Sequence, residues 1–445
     1  MAEKLNRRQF AARSAWAGIT ILTAPNAISG TAANSKLRIA CIGAGGRASV
    51  GVNAGVKEHI VAIAEVDQGQ KKSAASIAKA KKHNPDLKLY TDYRELFDKH
   101  QDLDAVWVGC PDHNHFGAAV RGLSQGASVY CEKPLTWSIG EARKLRELAA
   151  EKGVATQMGN QGHSSDSIRR IVEYLQNGTL GKVDRVISQM GKAWGADTLG
   201  AQAEKPAGLD WNAWLGPAAD MPFTTGLHTR SWRKYLPFGT GTLGDMACHT
   251  IDGAVWGLGL TEADRFDVEV ETGTIGKDGH PLDAVFRWDF PATATRAAVS
   301  LWWYQGKAKP KLPEVATAIS GMHTTYFGDK GIMVSSSHCT TSKLVPKEFQ
   351  KAAGKPEEKL PRIEFGDHSG DFMRAARNPA AETACCSSFE YSGRLTEIIL
   401  AGVAAAQIGE KLSYDMKSGI FVNNANANAL LWRKPRAGWE FGYPA

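Results

Sequence analysis

Over its first third the chain alternates two kinds of segment. Short, mostly apolar runs recur at Leu37–Ile42, Ile60–Ala64, Ala105–Val108, Ala127–Cys131 and Val154–Met158. They are short and rich in β-branched and aromatic residues, and read as buried strands. Longer stretches of helical composition lie between them, such as the Ala/Lys-rich segment before Asn84 and then Tyr93–Phe97. Strands alternating with helices predict right-handed βαβ units and a parallel sheet. Ligands on such sheets bind beyond the carboxyl ends of the strands. Those ends hold Gly43, Glu65, Pro111–His115, Lys133 and Asn160–His163. Polar residues are thus brought to one edge.

The remainder carries a different rhythm. Residues 265–272 and 284–304 alternate with period two, as sheet strands do. Residues 388–410 place Leu395, Ile399 and Val403 at i, i+4 spacing, which predicts a helix. Residues 196–240 are rich in Gly, Pro and Trp and read as long loops over the sheet edge. Pro310–Pro313 and Lys347–Pro361 read as exposed loops, and Trp432–Ala445 as an ordered arm.

Composition narrows the classes. With 445 residues, 43% hydrophobic and 22% charged, the chain can bury large cores and is not a disordered polymer. No uncharged apolar run reaches the roughly 20 residues of a membrane span. The net charge is +7, but residues 1–33 hold Lys4, Arg7, Arg8 and Arg13 against Glu3, which leaves +4 for the rest. That balance does not point to nucleic acid, which calls for Lys and Arg clustered on one face. The pairs around Lys71–Lys72 and Lys79–Lys82 read as solvated helix faces. The seven cysteines form no CxxC pair and read as small buried hydrophobes, with neither a disulfide framework nor a zinc ribbon indicated.

The most specific local signal follows the first strand. Gly43-Ala44-Gly45-Gly46-Arg47-Ala48 is G-x-G-x-x-A between a strand and a helix-like stretch. The first glycine permits a tight turn, the second lets backbone approach a pyrophosphate, and Ala48 keeps helix and strand close. Glu65 ends the second strand 22 residues after Gly43, close to the roughly 20-residue spacing of the acid that takes the ribose hydroxyls. Its charge would repel a 2′-phosphate, which favours NAD over NADP. Asp67 is the competing acid, and Glu65 is preferred.

With these pieces in order, the sequence resembles the Gfo/Idh/MocA oxidoreductases, the glucose–fructose oxidoreductase and inositol dehydrogenase group. The resemblance rests on Gly43–Ala48, Glu65, Pro111-Asp112-His113-Asn114-His115, Glu132-Lys133-Pro134 and Gly159-Asn160-Gln161-Gly162-His163. It continues through Trp211–Pro217 and Gly241–His249, and covers most of residues 36–340. It implies a Rossmann NAD-binding domain over 36–160, then a substrate and oligomerisation domain over 161–445 with a large, mainly antiparallel open sheet. Homodimers or homotetramers are implied. Cofactor contacts are expected from Gly43, Ala44, Gly45, Gly46, Arg47 and Glu65, and from Pro111, His113, His115, Glu132, Lys133 and Asn160. The resemblance carries a catalytic role to Lys133 in E-K-P. It carries substrate roles to Asp245 and His249 in D-x-x-x-H, with Trp232, Arg233 and His163 as further substrate candidates. One departure is Gly239-Thr240-Gly241-Thr242, where relatives often have three glycines.

The chemistry can be stated independently. Removing hydride from a secondary alcohol requires a base within hydrogen-bond reach of the hydroxyl. His249 has a suitable ordinary pKa. Asp245 lies four residues earlier, on the same helical face, and could orient the imidazole or bind a neighbouring hydroxyl. Lys133 can donate to the substrate oxygen. Asp245, His249 and Asp252 could instead suggest a metal, but no partner cluster has ligand spacing. Trp194, Trp232, Trp302 and Trp303 could stack on a sugar, although core or interface is the default for large aromatics.

Residues 1–33 read as an address. Arg7-Arg8-Gln9-Phe10, a short apolar middle from Ala15 to Ala24, and Thr31-Ala32-Ala33 resemble a twin-arginine signal peptide with its cleavage site. A plain basic amphipathic helix is the bland alternative. The signal predicts a partner in the twin-arginine translocase, a periplasmic or otherwise exported enzyme, and tight retention of NAD loaded beforehand. The expected activity is hydride transfer on a carbohydrate. The rival is a glycoside hydrolase using NAD transiently through C3 oxidation and elimination; the retained Lys133 tilts towards net redox.

Overall fold

The computed structural model describes residues 36–379 and 385–441. The signal-like segment, residues 380–384 and the last four residues lie outside them.

Six parallel strands form the first sheet: β1 (Arg38–Ile42), β2 (His59–Ala64), β3 (Lys88–Tyr90), β4 (Ala105–Val108), β5 (Ser128–Cys131) and β6 (Thr156–Met158). Their order is β3-β2-β1-β4-β5-β6, the doubly wound arrangement whose order reverses beside β1. β4 and β5 are buried along their whole length, as strands covered by helices on both faces must be. Trp107 and Tyr130 stack with ring centroids 3.6 Å apart and fill one face of this sheet. Gly51 lets its helix lie against Trp107, whose ring a Cβ there would meet at 2.3 Å.

The second sheet has nine strands: β7 (Val183–Met190), β8 (Arg265–Thr272), β9 (Ala284–Phe290), β10 (Val299–Gln305), β11 (Met322–Gly328), β12 (Ile332–Ser336), β13 (Ser342–Val345), β14 (Leu412–Asp415) and β15 (Ile420–Phe421). The order is β13-β12-β11-β7-β10-β9-β8-β14-β15. Only β7 and β10 run parallel; the other pairings are antiparallel. The period-two segment 284–304 is thus two strands, β9 and β10, joined by a turn. The alternation along β10 buries Val299, Leu301, Trp303 and Gln305 and leaves Ser300, Trp302 and Tyr304 half-exposed. One face therefore packs on helices. Trp303 belongs to that core and Trp302 to the outer face.

The helix Phe389–Ile408 carries the predicted apolar stripe. It also holds Glu397, which is fully buried. Its carboxylate accepts from Arg143 Nη1 at 2.9 Å, Arg146 Nη1 at 2.7 Å and the Tyr414 hydroxyl at 2.7 Å. One acid thereby joins the helix Ile139–Lys152 of the first half to β14 of the second. The carboxy-terminal arm packs on the first sheet's helices, with Trp439 buried and the Arg94 guanidinium 3.7 Å from its ring centre.

One expectation changes. Lys347–Ala353 is a helix rather than loop. It follows Pro346 and is built from good helix formers, but none of its residues is buried, so its apolar period is faint. After β4, Pro111 precedes the helix Asp112–Ser124. The cysteines are buried or half-buried as expected, and burial pushes the Cys41 thiol up to about 12.

Several buried imidazoles make this fold acid-sensitive. Burial lowers His280 and His368 to about 4 and His113 to about 3. A folded pKa below the unfolded value near 6.5 means that the unfolded chain binds more protons between the two, so stability falls as pH drops below about 6.5. At pH 5 each such histidine lowers stability by on the order of 2 kcal/mol relative to pH 7. The urea midpoint should therefore fall between pH 7 and pH 5, and less steeply in His368→Gln. Equal midpoints at both pH values would contradict this.

Candidate active site

The carboxyl ends of the parallel strands open onto a cleft of about 600 Å³. Its two ends differ in chemistry.

At one end lies the glycine turn. Gly43 has φ +90°, in the region that favours glycine. Gly109, after β4, sits so close that a Cβ would meet Ala48 Cα and Cβ at 2.7 Å. Backbone alone fits there, so the glycine turn and the end of β4 pack directly on each other. Glu65 Oε2 accepts from the Ala44 N–H at 2.8 Å, the Gly45 N–H at 3.3 Å and the Ser73 hydroxyl at 3.1 Å. The competing Asp67 is instead paired with His228 Nε2 at 2.9 Å. Of the two acids, Glu65 is therefore the one at the glycine turn, and it lines the cleft. The turn, the close-packed Gly109 and the carboxylate at the end of β2 fit a dinucleotide.

At the other end stand Lys133, Asp245 and His249. Lys133 follows β5; Asp245 and His249 share one face of the helix Gly241–Thr250. Lys133 Nζ donates to Asp245 Oδ1 at 2.5 Å and to the Asp245 carbonyl at 2.7 Å. Asp245 Oδ2 accepts from Trp194 Nε1 at 2.7 Å and Lys192 Nζ at 3.1 Å. Arg233 Nε lies 3.2 Å from Oδ1. Burial would raise this carboxyl, but Lys133, then Arg233 and Lys192, hold it far below the usual carboxylate range. Asp245 is a fixed anion, not a proton carrier.

His249 differs from expectation. It forms no side-chain hydrogen bond with Asp245, whose oxygens face the cations and the Trp194 N–H. Its Nδ1 is buried with no hydrogen-bond partner. Its ring lies 4.3 Å from that of His338, centre to centre. Burial, then Lys133 and His338, drive its pKa well below 6.5, so the imidazole is neutral at pH 7. Asp245 thus orients the Lys133 ammonium rather than the His249 imidazole.

Other candidates divide. Gly45, Gly46, Arg47, Pro111, His115, Glu132, Trp232 and Arg233 line the cleft. His115 bonds the Pro134 and Cys110 carbonyls at 2.8 and 2.9 Å, tying two strand ends together. Glu132 is buried and held by Arg47 Nε at 3.2 Å. His113, Asn160 and His163 are not at the cleft. His113 bonds the Trp214 and Phe238 carbonyls at 2.8 and 3.3 Å within the packing between helix and loop. Asn160 Nδ2 donates to Asp252 Oδ2 at 3.0 Å, and His163 Nδ1 reaches that oxygen at 2.9 Å while its ring stacks on Trp256 at 4.4 Å. These three brace the floor. Lys192, Arg230 and His338 line the cleft without having been singled out in sequence. They come from loops where single polar residues carry no pattern. Among the described residues no group of three His, Cys, Asp or Glu side chains is placed to hold a metal ion.

A dinucleotide-binding parallel sheet followed by an open mixed sheet is the architecture of one group of oxidoreductases. Its first-domain family, described as "Oxidoreductase family, NAD-binding Rossmann fold", matches residues 37–160, and "Oxidoreductase family, C-terminal alpha/beta domain" matches residues 165–290. Together these span more than half the chain, which belongs to the Gfo/Idh/MocA oxidoreductase family. Levoglucosan dehydrogenase of Pseudarthrobacter phenanthrenivorans is 22% identical over 170 residues, 38% of this chain and 36% of that protein. The chain spans about a third of the length of the curated relatives it matches. Aldose-aldose oxidoreductase from Caulobacter crescentus, solved with glycerol, superposes with TM-score 0.54 at 15% identity, over 85% of this chain and 99% of that one. GenD2 from gentamicin A biosynthesis, solved with NAD, gives 0.55 at 17% identity, over 86% and 98%. At these identities the structures show the shared fold.

Two substitutions probe the two ends. Gly109→Ala should weaken NAD binding by at least about tenfold and lower stability by about 1–3 kcal/mol, because the turn must shift away from Ala48; dye-free NAD titration and thermal unfolding measure both. Asp245→Asn leaves Lys133 and Arg233 without their counter-charge and should cost about 3–5 kcal/mol. A urea midpoint unchanged from the parent would refute the buried pairing.

Proposed function

We propose that this protein is an exported, NAD-dependent oxidoreductase that moves hydride between a tightly held nicotinamide and a secondary alcohol of a sugar or sugar derivative. The observation that carries the reading is the meeting of Lys133, Asp245 and His249 at the end of the cleft away from Glu65. Bound NAD would supply the hydride acceptor. The residues proposed to hold it are the Gly43–Arg47 turn, Glu65, Pro111, His115 and Glu132.

The chain's own groups do the rest. A neutral His249 can accept the hydroxyl proton at a ring nitrogen without first losing one. Lys133 donates to the same oxygen and stabilises negative charge that develops on it. Asp245 keeps that ammonium in place. Glu65 disfavours a 2′-phosphate, so NAD is preferred to NADP. The named activity of levoglucosan dehydrogenase and the aldose chemistry of the Caulobacter enzyme support a carbohydrate substrate. Arg7-Arg8-Gln9-Phe10 supports export by the twin-arginine translocase, which carries folded proteins and so fits a preloaded cofactor. The half-exposed outer face of β10, with Trp302 and Tyr304, fits a homodimer or homotetramer.

Denaturing the purified mature protein should release about one NAD per chain. Sugars should reduce that cofactor, whereas aryl glycosides releasing aglycone with no net reduction would overturn the redox assignment in favour of hydrolysis. Lys133→Ala should lower kcat by roughly 10²–10⁴; intact turnover would remove Lys133 from the mechanism. Because His249 is depressed by burial, kcat/KM for alcohol oxidation should hold as pH falls through 6.5, with its acid limb lying lower. Replacing Arg7 and Arg8 by Lys should leave the protein in the cytoplasm, as fractionation would show.

A further inference from the structure

The alcohol end of the cleft is rich in donors and poor in acceptors. Asp245 is 4% exposed and already committed at both oxygens: Oδ1 to Lys133 with Arg233 beside it, Oδ2 to Lys192 and the Trp194 N–H. One carboxylate therefore answers three cations. A fourth, Arg230, lies 5.2 Å from the Trp194 ring centre, with Lys192 4.6 Å from the same centre, and forms no ion pair among the described residues. Arg233 Nε is buried and makes no hydrogen bond of good geometry.

The other acids nearby do not balance this. Glu132 is taken by Arg47. Asp112 lies within electrostatic reach of Arg233 and takes the Thr240 hydroxyl at 2.9 Å. Counting Asp112 as fully charged still leaves two carboxylates for Lys133, Lys192, Arg230 and Arg233. Unpaired positive charge at a partly desolvated wall is unfavourable until an anion enters. A neutral hydroxyl finds both Asp245 oxygens already accepting from cations or an N–H. A carboxylate or phosphate is acceptor-only and satisfies several of these donors at once.

We infer that the sugar taken by this site bears an anionic group, a carboxylate or a phosphate, held by Arg230, Lys192 and Arg233 beside Trp194. This rests on the carbohydrate reading given above and narrows it to acidic sugars. Calorimetric titration of the NAD-loaded chain with D-glucuronate, D-glucose and D-glucose 6-phosphate tests it. At least one of the acidic sugars should bind about 10- to 100-fold tighter than glucose. The preference should shrink as salt rises and drop to within about threefold in Arg230→Gln, with the circular dichroism unchanged. Tighter glucuronate names a carboxylate, and tighter glucose 6-phosphate names a phosphate; either supports the inference. Glucose binding as well as both acids overturns it and leaves the sugar reading standing. No binding by any of the three overturns both. An acid preference that survives Arg230→Gln and Lys192→Gln shows that these residues are not its source.

Discussion

A single buried carboxylate organises the reactive end of this protein. Asp245 draws together Lys133 from the edge of the parallel sheet, Lys192 and Trp194 from the segment after β7, and Arg233 from the loop before its own helix. These segments come from different parts of the chain: a strand end, a loop and a helical turn. A desolvated carboxylate demands partners, and the partners are spread along the chain, so satisfying it closes the cleft. Glu397 does the same at a distance, fastening the helix Ile139–Lys152 to β14 through Arg143, Arg146 and Tyr414. Two buried acids thus tie the parallel-sheet half to the mixed-sheet half.

This arrangement divides the chemistry sensibly. Charge is fixed at Asp245, which Lys133, Arg233 and Lys192 keep ionised. His249 is kept neutral by burial and by the neighbouring ammonium, as the proton acceptor of the proposed reaction has to be. At the opposite end, the glycine turn presents backbone N–H groups and Glu65 spans them. The shared architecture of the Gfo/Idh/MocA family places an NAD-binding fold beneath one end of the cleft. At the other end, Lys192, Trp194, Arg230 and His338 reach the cleft from loops.

Much of this was legible in the chain. The strand runs and their intervals gave the parallel sheet, because strands covered on both faces must be apolar throughout. Gly43–Ala48 and Glu65 were readable because a tight turn against a strand tolerates few side chains. D-x-x-x-H put Asp245 and His249 on one helical face. Spacing alone did not show which way His113, Asn160 and His163 turn: a strand end brings residues near an edge, but side chains there can turn inward and satisfy carbonyls or Asp252. The helix Lys347–Ala353 escaped because none of its residues is fully buried and only Phe349 and Ala353 touch the core, which leaves too short a periodic trace to read.

By itself the sequence determined the layering of the first half, the glycine turn and the identity of the principal ionisable groups, since these depend on period, spacing and residue type over short stretches. Only the tertiary structure decided which partner each group takes. It gave Asp245 to three cations rather than to His249, and recruited Lys192, Arg230 and His338 from distant loops. Such pairings are set by desolvation and by contacts between residues far apart in the chain, and neither leaves a mark on local pattern.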